Sequence, residues 1–227
     1  MRLILVLLFV LLFFIISIPL FLIAYLIDKF NHRTMVAYSQ KIVAGAFRVV
    51  LFLSGVKVTV IGIENIPKDE AVLYIANHRS YFDIMISYAT LPTLTGFIAK
   101  KEIKRVPFLR TWMNFLQCLF LDRDDVRQGM KVILKAIEQV KDGYSVFISP
   151  EGTRNQGNEM LAIIPVSISN TEEAFENHLP WIRKAHTVIE YGKPIYPKDL
   201  EKEQLKSLNT YVQGIIRDTL EKNASLL

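Results

Sequence analysis

Across 227 residues the chain carries a single cysteine, Cys118. One thiol excludes an internal disulfide framework and fits a reducing compartment. Histidine is nearly as scarce. The four histidines and Cys118 fall at no spacing that would gather a metal ion. No Gly-x-Ser-x-Gly elbow occurs, which removes the usual setting of a serine-hydrolase nucleophile. Cys118 itself lies in an apolar run, the place of a core residue and not of a nucleophile. Repeats, low-complexity tracts and flexible linkers are also lacking, so solenoids and linker-joined modules are excluded.

The longest absence is of charge. From Leu3 to Ile27 no charged residue interrupts a run of 25. As a helix this run is about 37 Å long, enough to cross a hydrocarbon core with some tilt. A cleaved signal would carry a shorter apolar region, about 7–15 residues, closed by small side chains. Here Phe21-Leu22-Ile23-Ala24-Tyr25-Leu26-Ile27 continues straight into Asp28-Lys29, so a membrane anchor is expected. Pro19 leaves room for a kinked, re-entrant form in one leaflet. A second segment, 34–56, repeats apolar residues at helical spacing (Met35, Val36, Ile42, Val43, Phe47, Val50, Leu51), with Gln40, Lys41 and Arg48 between them. It reads equally as a helix packed on a domain or as one lying in the membrane interface.

The formal net charge of +5 favours anionic partners. Beside an apolar anchor this points to a phospholipid surface or a phosphorylated substrate, and nothing but the charge supports nucleic acid. After Gly55 the pattern changes to short β-branched runs alternating with helical ones. Strands are expected at Val56–Ile63, Ala71–Ala76, Gly96–Ala99, Cys118–Leu121, Tyr144–Ser149, Ile163–Ser169 and Thr187–Tyr191. Helices are expected over Asp83–Leu91, over 126–140 with Val126, Met130, Ile133, Ile137 and Val140 facing inward, and over about 199–222. The fold class is therefore α/β: a mainly parallel, mixed sheet flanked by helices, preceded by a membrane helix and a second amphipathic helix. Two units are expected, an anchor over 1–55 and a catalytic domain over 56–227.

Three constellations carry chemistry. Asn77-His78-Arg79-Ser80-Tyr81-Phe82-Asp83 follows a buried strand and opens a helix, where α/β sheets place their sites. His78 is the best general-base candidate, and Asp83 can fold back across the turn to fix its tautomer. Alternatively, Ser80 or Asp83 simply caps the helix. Ser149-Pro150-Glu151-Gly152-Thr153-Arg154-Asn155 also follows a strand. There Gly152 permits close backbone approach, Thr153 offers a hydroxyl, and Arg154 a planar fork suited to phosphate. Basic residues also stand near strand ends: Lys100 and Lys101 after one strand, Arg123 after the next. One of the two lysines is expected to reach the site, and the sequence does not choose between them.

Taken together, His-x4-Asp and Glu-Gly-Thr-Arg occur in this order behind a membrane anchor. They resemble the 1-acylglycerol-3-phosphate acyltransferase family, over about 56–196. Phe120-Leu121-Asp122-Arg123 looks like that family's second block and Ile164-Pro165-Val166 like its fourth. The resemblance implies His78 as base, Asp83 as its partner, Arg123 and Arg154 as phosphate contacts, and Glu151 as a shaper of the acceptor site. It implies direct transfer of an acyl group to a lysophospholipid hydroxyl without an acyl-enzyme and without a cofactor. The donor would be the thioester of acyl-CoA or of acyl-carrier protein. A membrane location follows, with the catalytic domain on the cytoplasmic face.

This chain departs from the pattern twice. Ser149 stands where the family usually has an aromatic residue. Between the strands Tyr144–Ser149 and Ile163–Ser169, only Gln156–Ala162 remain after the motif, little for a helix-bearing parallel crossover. An extended or turn-like connection is expected there, leaving the sheet face to Met160, Leu161 and the membrane-proximal helices. The rival reading that follows is a catalytically impaired relative that binds anionic lipid.

Overall fold

In the computed structural model the described residues are 1–122, 124–149 and 161–227. The uncharged run forms α1 (Arg2–Asp28), continuous through Pro19, and a three-residue turn leads into α2 (His32–Ser54). Asn31 caps α2, its side chain accepting from Thr34 N at 2.9 Å, and Gly55 ends the helix in the left-handed region at φ 72°. A methyl group built on Gly55 would lie 2.9 Å from Lys184 Cγ and 3.1 Å from Arg2 Nε. The start of α1 therefore meets the end of α2, and the two helices form an antiparallel hairpin.

The hairpin is fixed to the rest of the chain. Gln40 donates through Nε2 to Thr93 O at 2.6 Å and accepts from Thr95 N at 2.9 Å, while Arg48 donates twice to Ala89 O. The polar residues that interrupt the apolar spacing of α2 are thus the pins holding it to the domain, which settles the two readings in favour of packing. Met35, Val36, Val43 and Leu51 share one core with the sheet.

Beyond the hairpin come β1 (Val56–Ile61), β2 (Leu73–Ala76), α3 (Tyr81–Thr90), β3 (Thr95–Lys100), α4 (Pro107–Phe115), β4 (Leu119–Leu121) and α5 (Val126–Lys141). Then follow β5 (Ser145–Ile148), β6 (Ile163–Ser169), β7 (Ala185–Tyr191), α6 (Lys202–Lys206) and α7 (Leu208–Asn223). The expected elements are present, with small shifts of boundary. Helix α4 was not anticipated, and the closing helix is broken at Ser207 into α6 and α7.

Among the described residues the strands lie in the order β1-β7-β6-β2-β5-β3-β4. From β6 to β4 every neighbouring pair is parallel. The pair β1–β7 is parallel within itself but runs against β6. The C-terminal ends of β2 to β6 and the N-terminal ends of β1 and β7 therefore share one rim. On one face α2 and α3 cover Tyr74, Phe97, Phe147 and Ile164. On the other, α7 covers Ile163 through Val212 and Ile216, and α5 covers Val146 through Ala136 and Val140.

Two expectations are corrected here. Strand β6 is not the neighbour of β5, because β2 lies between them. Nor do the membrane-proximal helices cover this sheet face, which is taken by α5 and α7. Leu161 packs there as expected, with Ala136, Val140 and Val146, and Met160 lies outside the described residues. Of the segment 156–162 only Leu161 and Ala162 are described, and neither is helical. Helix α5 also packs on a different stripe. Val132, Ala136 and Val140 face inward, centred on the small side chain of Ala136, while Val126 and Met130 point to the outside.

Helix α1 lies along the domain through aromatic contacts with α4. Trp112 sits 5.8 Å from Phe13 and 4.9 Å from Phe21, and its Nε1 donates to Ser17 Oγ at 2.9 Å. The opposite face of α1, including Leu8, Leu11, Ile15 and Leu22, is exposed. Trp112→Ala removes the ring that joins α1 to α4. It should cost about 3–5 kcal/mol, read as a lowered midpoint of thermal unfolding in detergent, with Ser17→Ala costing only about 1 kcal/mol.

Candidate active site

Strand β2 ends at Ala76, and the chain turns at the shared rim. Asn77 continues the sheet with its side chain: its Nδ2 donates to Ile168 O at 2.7 Å and its Oδ1 accepts from Ile168 N at 2.9 Å. This pair copies a ladder step against β6 and fixes where His78 begins. Ser80 then caps α3, accepting from Phe82 N at 3.0 Å, and Asp83 completes a capping box.

Asp83 is at once cap and partner of the histidine. Its Oδ2 accepts from Arg79 N at 2.7 Å, Ser80 N at 2.9 Å and His78 Nδ1 at 2.9 Å. Its Oδ1 accepts from Thr171 Oγ1 at 2.5 Å. The carboxylate is 2% exposed, and four donors take the place of water around it. An acceptor already holding two backbone N–H groups directs Nδ1 of His78 to donate. That leaves Nε2 as the basic nitrogen of the neutral ring. His78, with a side chain 36% exposed, keeps access to the rim. The cap reading is thus borne out, and the same carboxylate that caps α3 also orients the His78 ring.

Sequence reasoning missed the partners that come from far along the chain. Thr171 follows β6 and is fully buried. Glu176 accepts from Ser80 Oγ at 2.7 Å and from Tyr81 N at 2.9 Å, and Glu172 pairs with Arg79 at 3.4 Å. Thr171, Glu172 and Glu176 thus brace the turn from a segment about 90 residues away. No local spacing signals such a contact. Asn77 was visible only as a polar residue beside the histidine.

At the ends of β3 and β4 the rim carries an ion pair. Lys101 Nζ donates to Asp122 Oδ2 at 2.6 Å, a bond that holds the carboxyl below its usual range and the ammonium above its own. Asp122 is held in turn through Gln128, whose Oε1 accepts from Asp122 N and whose Nε2 donates to Phe120 O, both at 2.8 Å. Lys101 is thus engaged beside the β4 exit, and Lys100 is exposed at the end of β3. Arg123, Glu151, Gly152, Thr153 and Arg154 lie outside the described residues. Cys118 is buried, with Sγ 3.3 Å from Tyr88 Oη, and burial pushes its thiol up, as expected of a core residue. Among the described residues no group of three or more metal-ligating side chains occurs.

Residues 57–197 match the family model described as Acyltransferase. A 1-acyl-sn-glycerol-3-phosphate acyltransferase of Borreliella burgdorferi is 30% identical over 196 residues, which cover 77% of this chain and 74% of that one. The protein of the same description from Saccharomyces cerevisiae is 29% identical, over 78% of this chain and 64% of that one. The crystal structure of the 1-acyl-sn-glycerophosphate (LPA) acyltransferase PlsC from Thermotoga maritima shares the fold. Its TM-score is 0.74 at 23% identity, covering 98% of this chain and 97% of the other.

The geometry separates a structural role from a chemical one. Asp83→Ala leaves Arg79 N, Ser80 N and the Thr171 hydroxyl without their buried acceptor. It should cost roughly 3 kcal/mol. His78→Ala removes a partly exposed ring and should shift stability by less than about 1 kcal/mol. Denaturant unfolding of the two purified variants in detergent measures both.

Proposed function

Because the chain belongs to the acyltransferase family and is an enzyme of the 1-acyl-sn-glycerol-3-phosphate acyltransferase type, we propose that it moves a fatty acyl group from a thioester to the free hydroxyl of lysophosphatidate. The observation that carries this reading is the His78 Nδ1–Asp83 Oδ2 contact of 2.9 Å at the end of β2. In this mechanism Nε2 of His78 takes the proton of the acceptor hydroxyl, and the oxygen attacks the thioester carbonyl. Asp83 stabilises the imidazolium that forms. Collapse of the tetrahedral intermediate expels the thiolate, which takes the proton back from His78. No acyl-enzyme and no cofactor are needed, and the donor is acyl-CoA or acyl-carrier protein.

The acceptor's phosphate is assigned to residues that follow the parallel strands in the chain. Lys100 and Lys101 come after β3, Arg123 after β4, and Glu151, Gly152, Thr153 and Arg154 after β5. Strands β2, β3, β4 and β5 all open on the rim that carries His78, which supports convergence of base and cations on one substrate. Segment 1–55 engages the membrane and 56–227 performs the chemistry, on the cytoplasmic face. The apolar, exposed face of α1 supports the first part. The rival reading is an impaired relative that keeps only anionic-lipid binding, and it differs from the first in giving no acyl transfer.

Purified protein should transfer a radiolabelled acyl chain to lysophosphatidate in preference to glycerol 3-phosphate or neutral lysolipids. Equal or greater transfer to one of those acceptors would reassign the substrate. In the same assay His78→Ala should reduce turnover by about 10²–10⁴-fold, with folding and vesicle binding intact. Near-wild-type turnover would remove His78 from the role of base. Arg154→Ala should raise KM for lysophosphatidate more than it lowers kcat, because a phosphate contact away from the reacting hydroxyl binds ground state and transition state alike. Unchanged kinetics would place Arg154 outside the phosphate site.

A further inference from the structure

The segment that braces the catalytic turn ends in a loop with an unusual surface. Arg183 N donates to Ala174 O at 3.0 Å and closes the loop at its base. Ala174 is fully buried, and Phe175 and Ile182 pack on the main core. Beyond this anchored base, Leu179 is 64% and Trp181 58% exposed. The acidic residues of the segment turn inward or onto neighbours: Glu172 to Arg79, Glu173 to Asn177 and His178, Glu176 to the α3 cap. Arg183 and Lys184 remain exposed beside the tryptophan.

The loop sits where the membrane hairpin reaches the rim. Lys184 and Arg2 both lie against Gly55. Val56 and Ala185 are register partners, so the last turn of α2 and the loop run into the sheet side by side. On that turn Phe52 is 81% exposed. Arg2 is the charge that borders the apolar run of α1, so it marks the headgroup level at that end of the helix. Phe52 and the loop's Lys184 thus stand at the Arg2 end of α1, and the same loop presents Leu179, Trp181 and Arg183 to the outside. Aromatic rings with an apolar body and a polar edge, next to cations, suit the interface of an anionic bilayer.

We infer that the 174–183 loop, with Phe52, is a second membrane-contact surface that seats the catalytic rim on anionic lipid. The occupant is the bilayer itself, because the loop enters the sheet at the Arg2 end of the apolar helix α1 and carries the complementary charge. Through Glu176 and Thr171 the same segment holds Ser80, Tyr81 and Asp83, so the contact places the base at the surface where its substrate lies. This inference rests on the reading of α1 as a membrane element.

The chain has two tryptophans, and Trp112 is buried between α1 and α4. Subtracting the emission of the Trp181→Phe variant from that of the wild type isolates Trp181. The full-length protein would be reconstituted in vesicles of phosphatidylcholine, alone or mixed with phosphatidylglycerol, with a phosphatidylcholine brominated on the upper acyl chain as quencher. In mixed vesicles the Trp181 component should shift to the blue, lose most of its intensity to the brominated lipid and become shielded from aqueous acrylamide. Arg183→Gln with Lys184→Gln should abolish the dependence on phosphatidylglycerol. Flotation of the same vesicles reports on α1 separately. Flotation with a Trp181 component that emits as in water and stays open to acrylamide would overturn this surface alone and leave the patch to a protein partner. Failure to float would overturn the membrane reading and this one together.

Discussion

The turn that carries His78 at the rim depends on one buried carboxylate. Asp83 gathers two backbone N–H groups, an imidazole and a hydroxyl onto its two oxygens. Each of these bonds restrains a different part of the fold. The backbone donors set the turn between β2 and α3, the imidazole takes its orientation from that turn, and Thr171 ties the turn to the chain leaving β6. A group with four charge-assisted bonds in a water-excluded position has no comparable alternative geometry, since releasing any donor strands it in the interior. The His78 ring is therefore positioned by the helix start and not by a flexible side chain of its own.

The sheet makes that arrangement possible by bringing distant ends to one edge. Parallel strands deliver β2, β3, β4 and β5 to the same rim. The reversed pair β1–β7 brings there the end of α2 and the entry to β7. A sheet parallel throughout would have sent the membrane hairpin to the opposite edge, far from the chemistry. The reversal is thus what brings the apolar hairpin to the rim that carries His78 without a hinge or linker. The bonds of Gln40 and Arg48 to Thr93, Thr95 and Ala89 then make hairpin and sheet one rigid body.

What the sequence disclosed and what it hid divide along contact distance. His78 and Asp83 were legible because a five-residue spacing after a strand is local, and the turn that joins them is short. The strands were legible from β-branched runs, and α1 from its missing charges. Thr171, Glu172 and Glu176 were not, for their contacts span about 90 residues and leave no periodic trace. Strand order was hidden for the same reason. Nothing local in 144–169 says that β2 slips between β5 and β6. The face of α5 was misjudged because its apolar residues outnumber those that the sheet edge can cover. Periodicity found the stripe, and the small side chain of Ala136 chose which part of it approaches the sheet.

The polar residues of α2 teach a related point. In the sequence Gln40 and Arg48 look like the wet side of an interfacial helix. In the fold they satisfy carbonyls and an N–H at the ends of α3 and β3 that would otherwise be buried without partners. A polar side chain within an apolar stripe is thus a pin when backbone groups at element ends lie opposite it. The exposed apolar residues argue the other way. Phe52, Leu179 and Trp181 are exposed, on elements that meet near Arg2 at Gly55, which is the ground for the proposed bilayer contact. On the proposed reading, an anchored loop that holds His78 at lipid height removes the need to lift a membrane-bound acceptor into water. On that reading the bilayer completes the burial that α1 and this loop lack inside the protein.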